Sequence, residues 1–159
     1  MSVVISNREI IEDDWRYLDD SVTLPEQGQL ILSPDRLRRE CELNTLSGYR
    51  LGLDLDATVL IEEIASLLPL LDLVVLKFEG FSDGRAFSQA RLLRERYRFT
   101  GEIRARGEVL RDQLSFMQRC GFTEFELEDN TDIKLALSAF DDISHSYQPE
   151  LESTSTAQA

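Results

Sequence analysis

Seven charged side chains stand where a parallel α/β domain would do chemistry. Lys77, Glu79, Asp83 and Arg85 end or follow one strand-like run, Arg104 and Arg106 end a second, and Glu126 lies in a third. Parallel α/β folds place their sites at the C-terminal ends of strands. Guanidinium groups grip carboxylates, phosphates and other oxyanions through a planar fork of donors. The seven residues therefore read in two ways: as an oxyanion-binding or acid/base cluster, or as a self-neutralising ion-pair network of Arg104 and Arg106 with Glu79 and Glu126. Residues 77–119 hold ten Lys or Arg against six Asp or Glu, a net +4 inside a chain of net charge −13, and nine of the ten cations are Arg. An arginine-rich middle in an acidic protein calls for an anionic ligand or an internal acidic counter-surface.

Other chemistries lack their residues. The single histidine, His145, lies near the C-terminus, so a Ser-His-Asp or Cys-His catalytic set has no well-anchored base. Cys41 and Cys120 are far apart, give neither zinc-site nor cluster spacing, and read as reduced thiols. No GxGxxG turn follows a strand and no GxxxxGK[ST] loop is present. No cofactor or metal is expected, although some flavin sites carry no short motif. The acidity argues against nucleic acid as a partner, and its plainest role is solubility, with steering toward a basic partner the sharper alternative. The most apolar stretch, residues 64–76, is interrupted by Pro69 and Asp72 and is too short to span a bilayer. With no basic-then-apolar leader at the start, a cytoplasmic location is expected.

From residue 29 onward the sequence alternates strand-like and helical runs, the signature of βα units feeding a parallel sheet. About five units are expected. Strands at 29–32, 49–55, 73–78, 102–106 and 123–127 each lead into a helix: at 35–43 after Ser33 and Pro34, at 57–68 after Asp56, to about 97 after Ser82 or Asp83, at 108–120 before Gly121, and to about 142 after Asn130 or Thr131. Leu60, Ile64, Leu67 and Leu68 should share the buried face of the second helix; Ala86, Ala90, Leu93 and Tyr97 that of the third, with Arg91, Arg94 and Arg98 outward. The strands alternate: Leu51, Leu53 and Leu55 oppose Arg50, Gly52 and Asp54, and Ile103 and Ala105 oppose Glu102, Arg104 and Arg106. One face is apolar and should take the helices, while the other is charged. A partial (βα) barrel with helices mainly on one face satisfies this pattern better than a flat sheet covered on both sides. Residues 1–28 stand apart as an N-terminal hairpin around Asn7 and Arg8 with an extension, in which Trp15 reads as a packing lid. The α/β domain should span 29–148, and the small, polar residues 149–159 should be a disordered tail.

The strings DGRAFSQARLLRER, GEIRARGEVLRDQL and FMQRCGF, with EDDW near the start and SYQP around Tyr147, resemble the bacterial family known as domain of unknown function 934. The likeness runs over nearly the whole chain to Pro149. Members are typically encoded beside the haemoprotein subunit of sulfite or nitrite reductase and are sometimes labelled oxidoreductases. The resemblance implies a role in assimilatory sulfur metabolism; taken with the acidity and the lack of a cofactor motif, it leads to the expectation of an accessory protein that docks on that haemoprotein and helps its electron donor engage. No catalytic residue is established for the family, so none carries over. A small barrel-like oxidoreductase or oxyanion- or phosphate-binding enzyme using the arginine cluster is the alternative, and a homodimer joining two charged sheet faces is the third reading.

Overall fold

The computed structural model describes residues 3–79, 84–109, 111–127 and 133–146. Asp83, the Ser82 cap, the Asn130 or Thr131 cap and the tail at 149–159 lie outside the described residues. The chain begins with a hairpin, β1 (Val3–Ser6) and β2 (Glu9–Ile11), paired antiparallel with Ser6 opposite Glu9. Its two-residue turn is Asn7 and Arg8, at φ 53° and 64°, the left-handed pair that matches strand twist in a tight hairpin. β3 (Trp15–Tyr17) follows, and then the alternation of β4 (Gln29–Leu32), α1 (Pro34–Glu42), β5 (Arg50–Leu55), α2 (Ile61–Ile64), β6 (Leu73–Phe78), α3 (Arg85–Arg91), β7 (Glu102–Gly107), α4 (Leu114–Arg119), β8 (Glu124–Leu127) and α5 (Ile133–Ser146).

All eight strands form one sheet, in the order β2-β1-β8-β7-β6-β5-β4-β3. The five expected strands run parallel to one another. The sheet is nevertheless larger than five βα units would make it, because β3 adds a parallel strand beside β4 while β1 joins β8 antiparallel. The first 28 residues thus supply strands to both edges of the sheet. Four strands separate β3 from β8, which in a flat sheet would be roughly 24 Å. Yet the Tyr17 hydroxyl in β3 donates to Glu126 in β8 at 2.9 Å. The sheet is therefore curled into a half-barrel, with the face carrying Tyr17 and Glu126 on the inside.

Alternation along each strand sorts the two faces. Leu30, Leu53, Leu76, Ile103 and Phe125 join Leu37, Ile64, Ala90, Leu93 and Met117 of the helices in one large buried cluster. The opposite face holds a small cluster of Ile31, Leu73 and Val75, against which Trp15 and Tyr17 pack. Gly52 lies between Ile31 and Leu73, where a Cβ would come within 3.2–3.3 Å of both side chains. Its missing side chain lets these inward-facing groups close up.

Three helices depart from expectation. Ser33 accepts from the Arg36 N–H and Pro34 opens α1 as expected. In the second unit, however, Asp56 accepts from the Thr58 N–H at 2.8 Å in a local turn, so the helix starts only at Ile61. Leu60 is left 57 % exposed instead of joining Ile64, Leu67 and Leu68 in the core. The Leu60 N–H is held by the Glu63 carboxylate at 3.1 Å. After Ile64 the chain tightens into a 3₁₀ turn, Ala65–Leu70, that contains Pro69. In the third unit α3 widens into a π-turn at Leu92–Arg96, which shifts the phase of the following residues. Arg94 consequently turns inward and donates to the carbonyls of Phe99, Gly101 and Gly121, while Arg91 and Arg98 remain exposed. In the fourth unit the α-helix begins at Leu114 after a 3₁₀ turn at Arg111–Gln113, several residues later than expected. Gly121 has φ 117°, the left-handed stop expected there.

Candidate functional site

Strand register assembles the inner-face charges. Val75 pairs with Arg104 and Lys77 with Arg106 across β6 and β7, and Arg104 pairs with Glu124 across β7 and β8. Arg104 is fully buried. Its Nε donates to Glu124 at 3.0 Å, its Nη1 to Glu126 at 3.3 Å, and both terminal nitrogens reach the two oxygens of Asp13 at 3.2 and 3.0 Å. Asp13 arrives from the loop between β2 and β3 and also accepts the Trp15 N–H. Burial disfavours the Arg104 charge, but the hydrogen bonds to Asp13 and the charges of Glu124 and Asp13 outweigh it and hold the group more firmly protonated than a free arginine. Glu124 feels the reverse balance: burial raises its carboxyl above the ordinary range despite Arg104.

Nearer the C-terminal ends of the strands lies a second, less buried layer. Arg106 donates to Asp54 at 3.1 Å, and its guanidinium sits 4.4 Å from the centre of the Tyr17 ring, a cation–π arrangement. Burial, then the Glu126 charge, raises the Tyr17 phenol far above its usual value, so it stays protonated and donates to Glu126. Burial also raises Asp54, against the pull of Arg106 and Lys77. Lys77 pairs with Glu79 at 3.9 Å on the exposed rim. Arg85 opens α3, where it lines a cavity and, with Lys77, adds to the hydrogen bonds from Thr58 that hold the Asp56 carboxyl below its ordinary range.

The structure thus brings together Arg104, Arg106 and Glu126, places the Lys77–Glu79 pair beside them, and sets Arg85 at the start of α3, where its charge and that of Lys77 both act on Asp56. Of the pairs in the ion-pair reading, Arg104 with Glu126 is present, but Glu79 pairs with Lys77. The main counter-charges are Asp13, Glu124 and Asp54, which sequence reasoning did not include in the set. The available signal was alternation: Asp54 opposes Leu53 and Leu55 in β5, and Glu124 and Glu126 oppose Phe125 and Leu127 in β8. Nothing local points to Asp13, which lies 91 residues from Arg104. The arrangement neutralises cations and keeps a phenol protonated. A guanidinium shared by three carboxylates has no donor pair left to clamp a free oxyanion.

Asp54 offers a test of this balance. Its carboxyl binds its proton more tightly in the folded chain than at its ordinary value of 3.8, so its contribution to stability falls as pH rises from about 3.8 through the raised value. Asp54→Asn should equal or exceed the parent in stability at pH 7 and lose that advantage by about pH 4. Urea titrations at both pH values check this; a variant much less stable at pH 7 would show that the Arg106 pairing dominates.

Among the described residues no group of three His, Cys, Asp or Glu is arranged to hold a metal ion, and no helix is long and apolar enough to cross a membrane. Cys120 is partly buried, and burial raises its thiol above the ordinary value, away from thiolate chemistry.

Residues 52–157 match the family model described as bacterial protein of unknown function, DUF934. The chain belongs to this family. The match takes in Asp54, Lys77, Arg104, Arg106, Glu124 and Glu126, while Asp13 and Tyr17 precede it. No curated protein matches the chain. Among solved structures, the Bacillus subtilis YkuI protein, which has an EAL domain and was solved in complex with substrate c-di-GMP and calcium, is similar at 15 % identity and a TM-score of 0.49. The likeness covers 74 % of this chain and 34 % of that one, so the chain spans about a third of its length.

Proposed function

We propose that this protein is a cytoplasmic accessory protein of a sulfite or nitrite reductase haemoprotein in sulfur assimilation, working without a cofactor of its own. In this reading the helices lie mainly on the convex face of the half-barrel, and the protein docks on the reductase to help its electron donor engage. The observation that carries the reading is the neutralisation of Arg104 and Arg106 by Asp13, Asp54, Glu124 and Glu126. Arg104, held by three carboxylates, is not offered to a ligand, Arg106 is paired with Asp54, and a chain of net charge −13 presents an acidic exterior suited to a basic partner. The resemblance to proteins encoded beside the haemoprotein supports this choice of partner.

Titration of the full chain with its cognate reductase haemoprotein tests it. Binding is expected at about 50 mM salt and should weaken at least tenfold by about 300 mM, as screening shortens the reach of surface charge. Absence of binding at low ionic strength would overturn the proposal. Arg106→Leu separates it from the enzyme reading: docking should survive, whereas an oxyanion site on this strand would lose its affinity for phosphate or sulfite. A homodimer through the charged faces would show as doubled mass on size-exclusion chromatography, abolished by the same variant.

A further inference from the structure

The helix that follows β6 reverses the charge of the chain around it. Residues 85–98 hold five Arg and one Glu in a protein of net charge −13. Arg94 turns inward, while Ser88, Arg91, Leu92, Glu95 and Arg96 are exposed and line one shallow groove. Ser88 and Leu92 also line a second, more apolar hollow of about 270 Å³ beside the loop that leaves β5, walled there by Val59 and Leu60, so the two adjoin along the helix. Leu60 and Leu92 are 57 % and 40 % exposed. Single exposed leucines are ordinary, but two that share a concavity with a charged rim mark an interaction surface. Gln89 holds the wall in place, its Nε2 donating to the Val59 and Asp56 carbonyls at 2.8 and 3.1 Å and so tying loop to helix. The hollow is therefore formed before anything enters it, which removes an ordering cost from binding.

The rim decides the charge of the occupant. Across both hollows the charged lining is Arg85, Arg91 and Arg96 against Glu95. Arg91 lies 3.9 Å from Glu95 with both side chains largely exposed, and Arg96 sits 5.6 Å from the centre of the Tyr97 ring. Neither contact takes the guanidinium out of water or occupies its donor fork. An extended polyanion, such as nucleic acid or an anionic membrane, would reach past this patch onto the acidic remainder of the chain and be repelled. A short segment would not.

We propose that the groove docks a short acidic segment of a partner protein, seating an apolar side chain between Leu60 and Leu92 and setting flanking carboxylates on Arg91 and Arg96. The leucines give affinity, and the arginines give register and choice of partner. The charge sought is opposite to that of the basic partner in the docking reading, so the two proposals fail separately.

The probe is the blocked peptide acetyl-Glu-Asp-Glu-Leu-Phe-Asp-Glu-Glu-amide, with one control in which Leu-Phe becomes Ser-Ser and another in which every acidic residue becomes Lys. Titrated into the isotopically labelled full chain at about 20 mM salt, it is expected to shift the amide resonances of residues 57–61 and 85–96 saturably, with Kd below about 1 mM. The Ser-Ser control should bind about tenfold more weakly, and the Lys peptide should leave these resonances unmoved. The chain carrying both Arg91→Glu and Arg96→Glu, altered only at exposed positions, should keep the parent's melting temperature and bind the probe at least tenfold more weakly. Leu60→Ser, a change on the apolar side of the groove, should weaken the probe by about the same factor. The proposal is overturned if the probe causes no saturable shift, if the Lys peptide binds as well, if either variant binds as the parent does, or if phosphatidylglycerol vesicles bind the chain more tightly than the probe, which would make the face a membrane surface.

Discussion

Arg104→Met is expected to cost about 3–5 kcal/mol of stability and to lower the melting temperature by about 10 °C. The residue is fully buried, and its removal leaves Asp13, Glu124 and Glu126 facing one another without the shared cation. The loss comes from stranded carboxylates more than from the guanidinium's packing, since Met restores much of the apolar stem. Two features distinguish this from ordinary core damage. Arg104→Lys should recover only part of the loss, because an ammonium is a point charge and cannot present the fork that meets Glu124 and both oxygens of Asp13 at once. The deficit should also narrow as the pH drops below about 5. Glu124 already favours its proton through burial; without the cation its folded value rises further, so the variant is least penalised where that group is neutral. Arg106→Met, at a half-buried position with a single carboxylate partner, should cost about 1 kcal/mol or less. Equal losses at the two positions would show that the inner-face network does not have the graded burial described.

Arg94→Leu should have the second-largest effect, about 2–3 kcal/mol. This side chain donates to the Gly121 carbonyl from Nε and Nη2 at 3.1 and 2.9 Å, and from Nη1 to the Phe99 and Gly101 carbonyls at 2.7 Å each. It thereby ties the end of the α3 unit to the turns that enter β7 and β8. The neighbouring backbone is shaped around it. A Cβ at Gly121 would stand 2.7 Å from Arg94 Cγ, and one at Gly101 would stand 2.7 Å from the Asp72 carbonyl oxygen. Leucine fills the stem's space but leaves three carbonyls without their charged donor. Chemical denaturation gives the magnitude. Amide exchange locates it, since the Glu102 and Thr123 N–H groups that open β7 and β8 should lose protection ahead of the central strand β6. A loss below about 0.5 kcal/mol would mean that water replaces the guanidinium without penalty.

The five parallel strands were legible because each carries its own evidence. Leu53, Ile103 and Phe125 alternate with glycine or polar neighbours, a period of two that needs no knowledge of the rest of the chain, while residues 30–32 and 73–76 are short apolar runs. The same alternation put Arg104, Arg106 and Glu126 on one face. Local reading failed where a weak signal met a competing one. Asp56 looks like a helix cap, but its side chain closes a turn with Thr58 first. Arg94 looks outward at a regular helical period, which the π-turn breaks. The hairpin around Asn7 and Arg8 was legible from its turn, but strands of three or four residues are too short for periodicity to show that β1 joins β8 and β3 joins β4.

Residue order alone therefore settled the α/β class, the boundaries of the central strands and the separation of a greasy face from a charged one, since all of these depend on neighbours a few positions apart. Which carboxylate answers each arginine was settled only when the sheet closed on itself. Tyr17 meets Glu126 across 109 positions, and Asp13 meets Arg104 across 91. Those encounters depend on the accumulated twist of eight strands, a property of the assembled sheet that no local stretch of sequence contains.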